Sequence, residues 1–148
     1  MIIRDYLGPE LISFIEAQTK EEAIGLLVNL AVKAGKASYR EAFLSALMAR
    51  EKLLSTGIGF GIALPHAKTA ELPEFFICIG ISKNGINWQA FDAKPVHLVF
   101  LIGGPEGEQE NYLKILATLT SIIKSPDTKD RLFAASSAEE ILSILKSV

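Results

Sequence analysis

The chain has 148 residues, which suits one domain and is long enough to bury a core. Hydrophobic residues make up 49% and charged residues 22%, with a formal net charge of -2; no dense Lys/Arg block pulls it toward nucleic acid. The N-terminus MIIRDYLGPE lacks the pattern of a signal peptide, and the longest apolar run, Phe75 to Ile81, is too short to cross a bilayer. A cytoplasmic protein with no direct membrane insertion is expected.

Leu11-Ile12-Ser13-Phe14-Ile15 reads as a short strand. Thr19-Lys20-Glu21-Glu22 is a capping box, and Ala23, Ile24, Leu27, Leu30, Ala31 and Ala34 follow at helical spacing before Gly35. Ser38-Tyr39-Arg40-Glu41 has the same form and predicts a second helix ending near Arg50-Glu51. After a glycine-rich stretch, Phe75 to Ile81 reads as a strand buried on both faces. Lys83-Asn84-Gly85 predicts a turn, with Ile86-Asn87-Trp88 returning as a short strand. Val96 to Ile102 is a second apolar strand, which Gly103-Gly104-Pro105 should break. A helix is predicted from about Glu108 to Lys124, another from Ser125-Pro126, and a terminal one from the capping box Ser137-Ala138-Glu139-Glu140. The expected fold is α/β: a single domain, residues 1–148, with a mixed β-sheet flanked by helices on both faces.

Candidate chemistry concentrates in Ser55-Thr56-Gly57-Ile58-Gly59-Phe60-Gly61-Ile62-Ala63-Leu64-Pro65-His66. The glycines do not match the dinucleotide fingerprint or the P-loop. They suit either an irregular segment needing unusual backbone angles or a loop that aims N–H groups at an anion. Pro65 stiffens the approach to His66, and a neutral imidazole is a nitrogen nucleophile that needs no separate base. His97 alternates with Val96 and Leu98 and is expected to be a half-exposed strand residue. Two histidines without an acidic or cysteine cluster do not form a metal site, so no metal is expected. Ser55 lacks the elbow of an esterase nucleophile. Arg50, near the end of a helix, offers either a dipole partner or a fork for a phosphoryl group. Lys68 has the same two readings with weaker positional support. Cys78, the single cysteine, lies in an apolar run and is expected to be buried and inert.

Arg50-Glu51 followed by the string from Ser55 to His66 resembles the signature of the fructose/mannitol-type enzyme IIA domain of the bacterial phosphoenolpyruvate-dependent phosphotransferase system, which includes the nitrogen-regulatory enzyme IIA proteins. The resemblance extends through Gly85-Ile86-Asn87-Trp88 with Ala90 and Asp92, and through Pro95 to Ile102. It implies that His66 is a phosphoryl acceptor, loaded by the phosphocarrier HPr or its nitrogen-branch paralogue and discharged to an enzyme IIB partner or used as a regulatory signal. It implies no cofactor. Arg50 and Tyr112 would complete the catalytic set, and Ser55, Thr56, Gly57 and Gly59 would bind the phosphoryl group.

Tyr112 is a departure, because family members commonly carry a second active-site histidine there. A tyrosine donates one hydrogen bond and carries no positive charge at pH 7. Two readings therefore stand: a working carrier, or a IIA-like regulatory binding module whose phosphotransfer is impaired. An anion-binding domain unrelated to phosphate relay is a weaker third. The chain ends at Val148 without a fused membrane or IIB segment, which favours a free-standing component as an expectation.

Overall fold

The computed structural model describes residues 3–147. A six-stranded mixed sheet is built from β1 (Ile12–Phe14), β2 (Gly57–Gly59), β3 (Ile62–Ala63), β4 (His66–Lys68), β5 (Phe76–Ile86) and β6 (Val96–Gly104). Its order is β1-β5-β6-β3-β2, with β4 also pairing β6. Strands β5 and β6 run antiparallel; β1 on β5, and β3 and β4 on β6, are parallel. Helices α1 (Lys20–Lys33) and α2 (Arg40–Leu53) form one layer, and α3 (Gln109–Lys124), α4 (Pro126–Ala134) and α5 (Ala138–Lys146) belong to the other.

The two layers follow from the alternation of side chains along the central strands. Ile77, Ile79, Ile81, Leu98, Phe100 and Ile102 pack with Ile115, Leu119 and Ile141 of α3 and α5. Phe76, Cys78, Val99 and Leu101 pack with Ile24, Leu27, Phe43 and Leu47 of α1 and α2. Each fully buried aliphatic side chain contributes about 1.5–3 kcal/mol, so both helical layers are held against a sheet that is apolar on both sides.

Several predicted boundaries hold. Thr19, Ser125 and Ser137 each accept a backbone N–H from the residue three positions on, at 3.3, 3.3 and 3.1 Å. Others are corrected. Ser38 does not cap α2: the cap position is Tyr39, which makes no side-chain capping bond, and Arg40 Nε donates instead to Asn29 Oδ1 at 2.7 Å. Helix α2 also runs on to Leu53, past the predicted end. The expected turn at Lys83-Asn84-Gly85 is a bulge within β5. Gly85 N–H donates to Ser82 Oγ at 3.0 Å, and Ile86 still pairs with Val96. The chain therefore kinks without reversing, and the antiparallel partner is β6 rather than a short strand at residues 86–88. Strand β6 continues through Gly103 and Gly104 because both pair with β4. The N-terminal strand is shorter than predicted, since Pro9–Leu11 forms a 3-10 turn.

Candidate functional site

The site forms where β4 lies against the first turn of α3. His66 and Lys68 are two residues apart on β4, so their side chains share one face of the strand. Gln109 and Tyr112 are three apart on α3 and share one face of that helix. The two faces meet. The His66 and Tyr112 rings lie 5.5 Å apart between centroids, tilted at 47°. Lys68 Nζ sits 4.7 Å from the centre of the Tyr112 ring and donates to Gln109 Oε1.

His66 is half-buried, and its Nδ1 is 2.9 Å from Leu64 O. A carbonyl oxygen only accepts, so Nδ1 carries the proton and the lone pair of the neutral ring resides on Nε2. Pro65, between donor and acceptor, limits the backbone freedom that would break this short loop of contacts. Burial is the main force lowering the His66 pKa from its ordinary value; the Leu64 bond opposes it, the Arg50 charge lowers it further, Glu51 raises it and Lys68 lowers it. The ring is therefore neutral at pH 7 and nucleophilic through Nε2.

Arg50, in the last turn of α2, donates from Nη1 to Leu54 O at 2.8 Å, which holds the guanidinium over the loop leaving the helix. Its charge acts on both His66 and Tyr112. Tyr112 is pushed up to about 12, chiefly by burial, so its hydroxyl remains protonated and neutral through the physiological range.

The residues expected to cradle an anion are engaged in the frame. Thr56 donates its N–H to Glu51 Oε2 at 2.9 Å and its hydroxyl to Glu51 Oε1 at 2.6 Å. Ser55 Oγ donates to Trp88 O at 3.3 Å and accepts the Gly57 N–H at 3.1 Å. The glycine run is a hairpin, β2 pairing antiparallel with β3. Gly59 and Gly61 turn it at φ +96° and +78°, with Phe60 between them at +60°. Gly57 is needed for close approach: a Cβ there would lie 2.8 Å from that of Ala90 and 2.9 Å from Trp88 Cδ1. Leu64 N–H donates to Thr56 O at 3.0 Å, which ties the hairpin to the segment entering His66.

Glu51 is the residue the motif reading left without a role. It is 5% exposed, pairs with Lys20 Nζ at 3.4 Å, and serves Thr56, whose Oγ1 accepts from Trp88 Nε1 at 3.2 Å. The Lys20–Glu51–Thr56–Trp88 chain ties α1, α2, the site loop and the end of β5 together. The only sequence cue was a carboxylate beside Arg50.

His97 lies apart from the site. It is half-buried and its Nδ1 is 2.8 Å from Ser82 O. It lines a surface cavity of about 640 Å³ with Phe60, Phe91, Asp92 and Phe133. His66 pairs with Ile102, five residues along β6 from His97, so the two histidines are separated by about 17 Å of strand at ~3.3 Å per residue. Cys78 is buried, and its thiol is pushed up to about 12. No cluster of three or more metal-ligating side chains occurs among the described residues, and none of their helices is long and apolar enough to cross a membrane.

Fold and site together define a single-domain α/β protein that presents a tautomer-fixed imidazole, flanked by cationic side chains, beside a sheet edge. The chain belongs to the family described as phosphoenolpyruvate-dependent sugar phosphotransferase system, EIIA 2, whose model matches residues 5–148. It is 40% identical over 140 residues to the fructose-specific EIIA component of Haloferax volcanii, covering 94% of this chain and 91% of that one. It is 39% identical over 131 residues to the fructose-specific EIIABC component of Bacillus subtilis; the match covers 88% of this chain but only 21% of that larger protein. Nitrogen regulatory protein IIA-Ntr from Neisseria meningitidis superposes with a TM-score of 0.89 at 28% identity, covering 97% of this chain and 98% of the other. The Escherichia coli mannitol enzyme IIA, solved in complex with phosphorylated mannitol enzyme IIB, superposes at 0.82 with 26% identity, covering 96% and 98%.

Proposed function

We propose that this protein is a phosphohistidine carrier of the phosphotransferase system, with His66 as the phosphoryl acceptor. The observation that carries the reading is the bond from His66 Nδ1–H to Leu64 O, which leaves the Nε2 lone pair on a neutral ring beside Arg50. Phosphoryl transfer needs chiefly alignment and charge neutralisation, and the site supplies both.

The donor is a phosphorylated histidine on a protein of the HPr type. The His66 Nε2 lone pair forms the new N–P bond while the donor N–P bond breaks, its electron pair remaining on the donor nitrogen. The Nδ1 proton stays in place, hydrogen-bonded to Leu64 O, so the phosphorylated ring begins cationic against a dianionic phosphoryl group. That polarity keeps the group transferable onward. Arg50 stabilises the three phosphoryl oxygens as charge develops on them. Tyr112 packs beside the ring as a neutral wall. Ser55, Thr56 and Gly57 use polar groups inside the frame, and with Gly59 they hold the loop in register. The acceptor is an enzyme IIB-type protein, a reading supported by the complex known for the mannitol relative, or a regulatory target.

The test uses the general phosphotransferase proteins with phosphoenolpyruvate. A mass increase of one phosphoryl group is expected on the wild type and not on His66→Ala. A second reading, a binding module without phosphotransfer, is favoured by one feature, the neutral Tyr112 at the second-histidine position. It would be supported by an unlabelled wild type under conditions that label an ordinary enzyme IIA.

A further inference from the structure

We propose that Lys68 is a catalytic residue of this site: its ammonium leaves Gln109 to neutralise the phosphoryl group on His66, and this exchange reports phosphorylation to the first turn of α3. The inference rests on the carrier reading above.

The argument begins with placement. Lys68 shares a face of β4 with His66 at a two-residue spacing, about 6.6 Å along the strand. The strand is fixed by pairing with β6, Lys68 opposite Gly104 and His66 opposite Ile102. The side chain is half-buried and folds onto its neighbours. It lies over the Tyr112 ring, the same ring that packs against His66, and ends on the amide oxygen of Gln109. Lys68 is thus drawn toward the imidazole by two neutral groups, an aromatic face and a carboxamide. Among the described residues it has no carboxylate partner within salt-bridge distance, unlike Lys20, Lys36 and Lys114.

That choice of partners matters energetically. A carboxylate would compete with a phosphoryl dianion for the ammonium, whereas a neutral amide and a ring hold it loosely. The ammonium is charged in both arrangements, but the amide oxygen offers it only a dipole whereas a phosphoryl group offers two opposite charges, so a dianion on Nε2 takes the ammonium from Gln109. The lysine's influence on the His66 ring is already felt in the free protein, where its charge lowers the imidazole pKa. Tyr112 contributes no charge here, being neutral through the physiological range. Among the described residues, Arg50 and Lys68 are the cations whose charge acts on the His66 ring, from α2 and from β4. The bond that Lys68 gives up is a side-chain hydrogen bond from β4 to the start of α3, so loading His66 alters that end of the helix.

The test measures labelling from phosphoenolpyruvate through the general phosphotransferase proteins, the lifetime of the phosphorylated form, and the side-chain amide signals of Gln109 by 15N NMR. Lys68→Met is expected to slow labelling about tenfold or more, the value of one charge-assisted bond, and Lys68→Arg to recover most of it. In the wild type the Gln109 amide signals shift on phosphorylation; in Lys68→Met they do not. A labelled wild type with Lys68→Met within about twofold of its rate, or with Gln109 signals unmoved by phosphorylation, overturns this inference and leaves the carrier reading intact. An unlabelled wild type overturns both. If Lys68→Met fails to fold, the NMR response of the wild type and the rate of Lys68→Arg decide alone.

Discussion

Removing the Glu51 carboxylate should destabilise the protein and disorder the site together. Glu51 is buried, and three groups depend on it: the Thr56 N–H at 2.9 Å, the Thr56 hydroxyl at 2.6 Å and Lys20 Nζ at 3.4 Å. Glu51→Ala leaves the N–H and hydroxyl without an acceptor and a largely buried ammonium without a counter-charge. Two hydrogen bonds to an ionised group are worth about 1.5–3 kcal/mol each, and breaking a buried ion pair from one side costs about 3–5 kcal/mol. These overlap, because one carboxylate serves all three, so the expected loss is about 4 kcal/mol. For a domain of this size each kcal/mol lowers Tm by about 2–4 °C, which gives a fall of roughly 8–16 °C. Glu51→Gln keeps the volume and one carbonyl acceptor but still removes the counter-charge of Lys20, so it should lose about 3 kcal/mol, less than Glu51→Ala. Thr56→Val should couple with Glu51→Ala in a double-mutant cycle, since each removes the same contacts. Calorimetry or urea unfolding reads the stability, and phosphoryl labelling at a temperature where the variant remains folded reads the site. A Glu51→Ala protein melting within about 3 °C of wild type, or labelling at the wild-type rate while folded, would refute the reasoning.

Three further outcomes are expected. Because burial holds the His66 pKa below its ordinary value, its NMR titration midpoint should fall below that of a histidine peptide, and labelling should persist as pH falls through the ordinary histidine range. The linked stability is fully present above the unfolded-state value and is lost as pH falls through the lower folded one; a midpoint at or above the peptide value would contradict this. Gly57→Ala should lose about 1–3 kcal/mol by overpacking, since the new Cβ meets Ala90 and Trp88 below 3.0 Å; unfolding in urea checks it, and an unchanged midpoint would show that the hairpin is free to move. Cys78, with its thiol at about 12 and no exposure, should resist an aromatic disulfide reagent in the native protein and react on unfolding; rapid native reaction would mean that the central sheet opens locally.

The helices and the mixed sheet between them were legible because their signals are local. Thr19, Ser125 and Ser137 each act on an N–H three residues away, and the apolar runs of β5 and β6 need no partner to be recognised. The segment leading to His66 was legible for the same reason, since proline fixes backbone geometry at its own position and the one before it. Ambiguity began where a local signal has more than one tertiary outcome. Asn84-Gly85 suits a reversal or a bulge, and Ser82 together with the Ile86–Val96 pairing selects the bulge. The glycine run suits an irregular segment or an anion loop, and only the β2–β3 pairing, with Gly57 packed against Trp88 and Ala90, shows that it is a hairpin.

The amino-acid order by itself therefore determined most of the helices and the two central strands with their two-sided apolar layers, and it pointed to His66 as the candidate for chemistry. Only the folded chain decided which groups surround that imidazole. Lys68 meets Gln109 across 41 residues and Glu51 meets Lys20 across 31, and neither meeting leaves a trace in propensity or spacing. The physical reason is that propensity acts over one or two turns of backbone, whereas a site is assembled by the register of β4 on β6 and the packing of α3 against it, both set by the core as a whole.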